Sequence, residues 1–200
     1  MVVSRETLLE RYFAERQSEV VRYAELLGTW GIERGLIGPK EGERIWERHI
    51  ANCIPVTTLM REGASVADIG SGAGLPGIVI ALARPDLRLT LVEPLQRRVD
   101  FLHEVVAELN LPITVIRGKA ESVKRSFDIV TARAVAPLPK LLPMVWPLIS
   151  SKGSLLAIKG ESAQSEIDET STKANTETFL HVVELEGFET ARIVEVRKSI

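Results

Sequence analysis

The sequence predicts an α/β fold, a mostly parallel sheet with crossover helices, preceded by N-terminal helices and followed by an antiparallel hairpin. Three observations carry this expectation. From residue 64 onward, short β-branched runs alternate with helical periods, the order expected of βαβ units. Residues 66–83, VADIGSGAGLPGIVIALA, join a short apolar run to the start of a helical period through four glycines and a proline. Ahead of them, residues 5–28 repeat apolar side chains at helical spacing.

In that first segment Leu9, Phe13, Val20, Ala24 and Leu27 fall near one face, with glutamates and arginines elsewhere, so one amphipathic helix is expected. Residues 40–53 form a second helical candidate, setting Ile45, Trp46 and Ile50 against Glu43, Glu47 and Arg48. Neither makes a domain alone, so residues 1–62 are read as an extension packed on a single core unit, residues 63–200. Candidate strands in the core are Ser65–Ile69, Arg88–Val92, Ile113–Ile116, Phe127–Thr131 and Ser154–Ile158. The clearest helix between them is Leu95–Leu109, where Val99, Leu102, Val106 and Leu109 recur at three- and four-residue steps. Residues 180–186 and 191–197 make the hairpin, and the Ser-, Thr- and Glu-rich stretch Glu161–Glu177 reads as a loop or an exposed helix.

A chain of 200 residues with 45% apolar content can bury a substantial core. Its single cysteine, Cys53, excludes an internal disulfide framework and a cysteine-only zinc site; no metal site is expected, and Cys53 is read as buried. No N-terminal run resembles a signal peptide, and the longest apolar runs are too short to span a bilayer, with Pro139, Pro143 and Pro147 interrupting the most apolar one. A cytoplasmic protein with no membrane partner, and a monomer, is the expectation. The net charge of −2 hides an asymmetry. Residues 63–160 carry 12 basic and 8 acidic side chains, whereas residues 161–200 carry 4 and 9. Most of the basic excess lies between Arg117 and Lys140, which suits either an ordinary solvated surface or a polyanionic partner.

A glycine-rich turn between a strand and a helix N-terminus lets a ligand approach the backbone. Two frames compete for it. Gly72, Gly74 and Gly77 satisfy G-x-G-x-x-G, the dinucleotide fingerprint, with Glu93 placed 19 residues beyond Gly74 to hold a ribose. Asp68, Gly70, Gly72 and Gly74 instead satisfy D-x-G-x-G-x-G, which resembles the first motif of class I S-adenosylmethionine-dependent methyltransferases. A carboxylate beside the loop repels a pyrophosphate but suits the ammonium and sulfonium of adenosylmethionine, so Asp68 favours the second frame. Glu93 serves a ribose under both. A purely structural reading, with Asp68 capping the turn, remains a third possibility.

The strings ADIGSGAGLPG, LVEPLQRRVDFL, RGKAES, FDIVTARAVAPL and LLAIKG, in this order and spacing, resemble the RsmG (GidB) family of small-subunit rRNA guanine-N7 methyltransferases. The resemblance is strong over residues 44–160 and implies a class I methyltransferase (Rossmann-like) sheet. It implies S-adenosyl-L-methionine as cofactor, with contacts at Gly70, Leu75, Glu93, Ala120, Glu121 and Arg133, and 16S rRNA or the small ribosomal subunit as partner. Arg48 and His49, in ERHI, match an Arg-His pair that is associated here with RNA or the mouth of the site. The chain departs from the family pattern in having RGLIGPKEG where N-L-T is common, and HIANC in place of HILDS.

The implied chemistry fits what is missing from the sequence. Guanine N7 has an in-plane lone pair and needs no deprotonation to attack a sulfonium methyl, so positioning can supply the acceleration and no general base is expected. TARAVAPL lacks the N-P-P-Y or D-P-P-Y associated with methylation of base amines. Arg133 is expected to position cofactor or substrate through the cofactor carboxylate, O6 or a phosphate, since donating to N7 would occupy the reacting lone pair. The bland alternative is an ion pair with Asp68. Arg97, Arg98, Lys119, Lys124, Arg125 and Lys159 are candidate phosphate contacts, each of which taken singly suits ordinary surface. Trp46 reads as core or, less simply, as a base-stacking platform, and His103 as solvent-facing. A nicotinamide oxidoreductase and a non-enzymatic rRNA-binding assembly factor are the competing functions.

Overall fold

A computed structural model describes residues 4–171 and 176–199. Its centre is one seven-stranded sheet in the order β3-β2-β1-β4-β5-β7-β6. The strands are β1 (Ser65–Ile69), β2 (Arg88–Glu93), β3 (Thr114–Arg117), β4 (Phe127–Arg133), β5 (Ile149–Lys159), β6 (Thr176–Val183) and β7 (Ala191–Lys198). The first five are parallel; β7 runs antiparallel to β5, and β6 pairs antiparallel with β7 at the edge. The chain builds outward from β1 to β3 and then returns to place β4 on the other side of β1. The carboxyl ends of β1 and β4 therefore flank a topological switch point, where open α/β sheets bind ligands.

The helices are α1 (Arg5–Tyr12), α2 (Gln17–Leu26), α3 (Gly77–Ala83), α4 (Gln96–Glu108), α5 (Leu138–Val145) and α6 (Ala163–Asp168). On one side of the sheet, α2 brings Val20, Tyr23, Ala24 and Leu26 against Ile78, Val79 and Leu82 of α3 and Phe101, Leu102 and Val105 of α4. On the other side, Leu138, Leu141, Leu142 and Val145 of α5 pack on Ala67, Ile69, Val130 and Ala132. Each fully buried leucine, valine or phenylalanine contributes roughly 1.5–3 kcal/mol of apolar transfer, so both layers are strongly held. Among the described residues, no helix is long and apolar enough to cross a membrane.

Two helical expectations change, and one strand bound. The single helix over residues 5–28 is two helices, because Phe13 leaves helical geometry at φ −130° and turns into the core, where it is 1% exposed. Ser4 caps the first of them by accepting from the Thr7 N–H at 3.2 Å. The second candidate, residues 40–53, is a succession of short turns over Pro39–Arg44, Ile45–Ile50 and Ala51–Cys53, some tighter and some wider than an α-helix. Its apolar spacing still puts Ile45, Ile50 and Cys53 inside, which all helical variants achieve with similar periodicity. Strand β5 starts five residues ahead of the expected Ser154, with an irregular register between Phe127 and Ile129 on its partner β4.

Candidate active site

The glycine loop leaves β1 after Ile69 and is hooked to β2, since the N–H groups of Gly70 and Ser71 both donate to the Val92 carbonyl, at 2.8 and 3.3 Å. Two acids hold it. Asp68 is fully buried, and its Oδ2 accepts from the Ser71 hydroxyl at 2.6 Å and from the Gly77 N–H at 3.0 Å. Gly77 opens α3 so close to this carboxylate that a Cβ would lie 2.7 Å from Oδ2 and 2.3 Å from Leu91 Cδ2. Burial raises the Asp68 pKa to about 6 against the pull of Ser71, Gly77 and Arg133. Its other oxygen, Oδ1, is buried without a hydrogen-bond partner among the described residues. Glu93, 1% exposed at the end of β2, accepts from the Gly72 N–H at 2.9 Å and from the Leu95 N–H at 3.0 Å, with Arg98 Nη1 3.6 Å away.

A third hold comes from α2. The buried Tyr23 hydroxyl donates to the Ala73 carbonyl at 2.8 Å. Gly74, at φ +95°, has no room for a Cβ, which would meet Ile78 Cδ1 at 2.4 Å and the Tyr23 oxygen at 3.0 Å. Sequence reasoning passed over Tyr23. It lies at helical spacing from Val20 and Leu27, but nothing local to it points to a donor for a loop fifty residues away.

Two cavities open at the carboxyl ends of the strands. The smaller, about 300 Å³, is lined by Gly70, Val92, Ala120, Glu121, Val135 and Met144 among others. The larger, about 730 Å³, includes Asn52, Arg133, Val135, Lys159 and Arg192. Val135 lines both, and its Cγ2 stands so close to Gly70 that a Cβ there would lie 2.7 Å away. The two cavities therefore adjoin across one side chain at the switch point.

Arg133 ends β4 beside that wall. Its Nη2 is 3.3 Å from His49 Nδ1 and its Nη1 is 3.4 Å from the Arg48 carbonyl oxygen. A guanidinium only donates, so Nδ1 accepts and the neutral imidazole carries its proton on Nε2, 3.1 Å from Glu41 Oε2. Glu41 also receives Arg48 Nη1 at 2.9 Å. Burial, then the Arg133 charge, lowers the His49 pKa, with Glu41 opposing. The following residue, Ala134, holds φ +56°, a left-handed geometry uncommon for alanine and frequent at functional sites.

The remaining sequence candidates separate. Gly70, Ala120, Glu121 and Lys119 meet at the smaller cavity. Arg97 and Arg98 lie in the first turn of α4 at the same end of the sheet, and Arg48 is exposed. Leu75, expected over a cofactor, instead turns its side chain into the core beneath the loop at 7% exposure, because α2 covers that side. Arg125, with Lys124 beside it, precedes β4 at the opposite end of the sheet, donating to Thr90 Oγ1 at 2.9 Å and stacking over Phe127. Lys159, expected to be free for a phosphate, is 9% exposed and internally paired. Trp46 packs against the core with Arg5 over its ring, and His103 is exposed. Cys53 is buried, its thiol pushed up to about 11 by desolvation.

The strand order, the single antiparallel insertion of β7 between β5 and β6, and the acid-held glycine loop define a class I methyltransferase fold. Solved structures share it at low sequence identity. Ribosomal protein L11 methylase from Lactobacillus delbrueckii subsp. bulgaricus matches with TM-score 0.58 and 15% identity over 75% of this chain and 77% of that one. TrmN from Thermus thermophilus matches with TM-score 0.58 and 17% identity over 73% of this chain and 48% of that one. The chain itself belongs to the GidB family, rRNA small subunit methyltransferase G, whose model matches residues 16–192. Relatives named ribosomal RNA small subunit methyltransferase G include one from Thermobifida fusca, 56% identical over 78% of this chain and 68% of the relative. One from Kineococcus radiotolerans is 53% identical over 78% of this chain and 63% of the relative. Another, from Streptomyces avermitilis, is 48% identical over 94% of this chain and 83% of the relative. The protein is thus a methyltransferase of this family, which sets aside the nicotinamide oxidoreductase.

Proposed function

We propose that the protein transfers a methyl group from S-adenosyl-L-methionine to N7 of a guanine in small-subunit (16S) rRNA. The observation that carries this reading is the meeting of two cavities at Val135, one framed by the glycine loop and one headed by Arg133. The residues present fit the cofactor. Asp68 and Glu93 place negative charge under and beside the loop, and among the described residues no donor reaches Asp68 Oδ1. Both oxygens of Glu93 already accept from backbone N–H groups, yet each retains a lone pair for a ribose hydroxyl. Ala120, Met144 and Val135 offer apolar surface to a flat base, with Glu121 at the edge. When bound, the cofactor supplies an electrophilic methyl on its sulfonium.

The chain's own task is alignment. Guanine N7 arrives as a free lone pair, so no residue needs to take a proton, and the His49 Nδ1 lone pair that a base would use is already engaged by Arg133. Arg133, steered by His49 and the Arg48 carbonyl, donates to O6, a phosphate or the cofactor carboxylate, leaving N7 open. Well-oriented reactants of this kind gain roughly 7–11 kcal/mol from positioning. Arg48, Arg97, Arg98 and Lys119 surround the openings as phosphate contacts, with Lys124 and Arg125 serving only RNA that wraps to the far end of the sheet. On this reading the protein acts as a monomer, in the cytoplasm where the rRNA is available. The test is incubation with methyl-labelled adenosylmethionine and undermodified small-subunit rRNA. Label in the RNA is expected, whereas RNA binding without transfer would instead support an assembly factor.

A further inference from the structure

Lys159 closes β5 against the wall of the larger cavity, and its ammonium is 2.7 Å from the Ala136 carbonyl oxygen and 2.7 Å from Glu166 Oε2. Glu166, on α6, uses the same oxygen to accept from the Leu138 N–H at 2.7 Å, and its Oε1 accepts from the Ser162 hydroxyl at 2.9 Å. The pair thus grips the backbone on both sides of Pro137, which has no N–H of its own to anchor the turn. The gripped segment runs from the left-handed Ala134 through Val135, the side chain shared by the two cavities, to the start of α5. Both partners are largely buried, with side chains 9% and 15% exposed, so neither charge is readily lent to a ligand. Ions that have given up water are held in place by each other, and removing one strands the other.

We propose that Lys159 and Glu166 are a pair of positioning residues for methyl transfer, fixing segment 134–138 so that Val135 and Arg133 keep their places between the two cavities. Lys159 acts through this segment, not on an RNA phosphate. The inference rests on the reading of the cavities under the proposed function.

The test uses Lys159→Met and Glu166→Gln in the full chain, with thermal melting to confirm folding; Glu166→Gln retains shape and an acceptor where the lysine variant strands a charge. For each, kcat, the KM for small-subunit rRNA, adenosylmethionine affinity and the salt dependence of RNA binding are measured. Both variants are expected to lose about tenfold or more in kcat, since small misplacements near the reacting atoms are costly, with cofactor affinity within about twofold. The slope of log affinity against log salt is expected to stay at the wild-type value. Amide exchange at Leu138 is expected to quicken in Lys159→Met, a readout that needs no activity. A slope reduced by about one phosphate contact in Lys159→Met with kcat unchanged would overturn the proposal. So would unchanged kcat in Glu166→Gln together with unchanged exchange at Leu138 in Lys159→Met. If wild-type protein transfers no methyl to the RNA, the functional reading fails, whereas the exchange result still reports on the bracket.

Discussion

The hydroxyl of Tyr23 donates to the carbonyl of Ala73 at 2.8 Å, tying a helix of the N-terminal segment to the tip of the glycine loop. Both ends of this bond are buried, so Tyr23→Phe leaves the Ala73 carbonyl without a partner, at a cost of about 1–3 kcal/mol. Adenosylmethionine affinity should fall with it, by roughly three- to tenfold, because the loop loses one of its three side-chain holds. Denaturant unfolding and calorimetry with the cofactor check the two effects separately.

Asp68 sets a pH dependence. Its pKa rises from 3.8 to about 6 on burial, so between those values the folded protein holds a proton that the unfolded chain has released. Folding stability from this group is therefore fully present below pH 3.8 and lost as pH rises through about 6, a change of roughly 3 kcal/mol by linkage. Asp68→Asn should flatten that part of the stability profile. Cofactor binding runs in the opposite sense: the cationic ligand favours the ionised acid, so affinity should weaken as pH falls from 7 to 5 in wild type and remain level in Asp68→Asn. Chemical denaturation and calorimetry across this range test both slopes.

Arg133→Ala should lower kcat/KM by about 100-fold, the scale of losing an orienting contact at the reacting atoms. His49→Gln retains an acceptor for the guanidinium, so its loss should be several-fold smaller than that of His49→Ala. Since burial and Arg133 hold the His49 pKa below its usual value, the imidazole is already neutral at pH 7, and turnover should be level from pH 7 to 9. Turnover in Arg133→Ala within twofold of wild type would remove Arg133 from the mechanism.

RNA affinity should fall steeply with salt, and charge removal should matter by position. Arg97→Ala and Lys119→Ala, at the carboxyl ends of the strands, should each reduce the salt slope by about one contact. Arg125→Ala, at the far end and engaged with Thr90 and Phe127, should change it little. Filter binding across a salt series measures these slopes.

Much of the sheet was legible because its centre is buried on both faces. VADI in β1 reads as a continuous apolar run broken only by Asp68, and its bounds match the strand. The Leu95–Leu109 period likewise gave α4 nearly to the residue. The beginning of β5 stayed hidden because Ser150, Ser151 and Lys152 are polar and lie where the strand leaves its register with β4. The turns over residues 39–53 stayed hidden because apolar spacing marks the inward face without fixing how tightly the backbone winds. The placement of Asp68, Glu93 and the glycines at the strand ends was legible from local order. The roles of Tyr23, Glu41 and Glu166 were not, since each depends on a partner brought close only by the fold. For the same reason Lys159, a lysine ending a strand, read as a free cation until Ala136 and Glu166 were seen around its ammonium.

The most direct test of the central claim is to map the methylated atom. Small-subunit rRNA methylated by the protein is reduced and cleaved by chemistry specific for N7-methylguanine, and the cut site is read by primer extension. One strong cut at a single guanine, absent without adenosylmethionine and greatly weakened with Arg133→Ala, is the predicted result. Incorporated label that yields no N7-specific cut, or that resides on a base amine, would contradict the account.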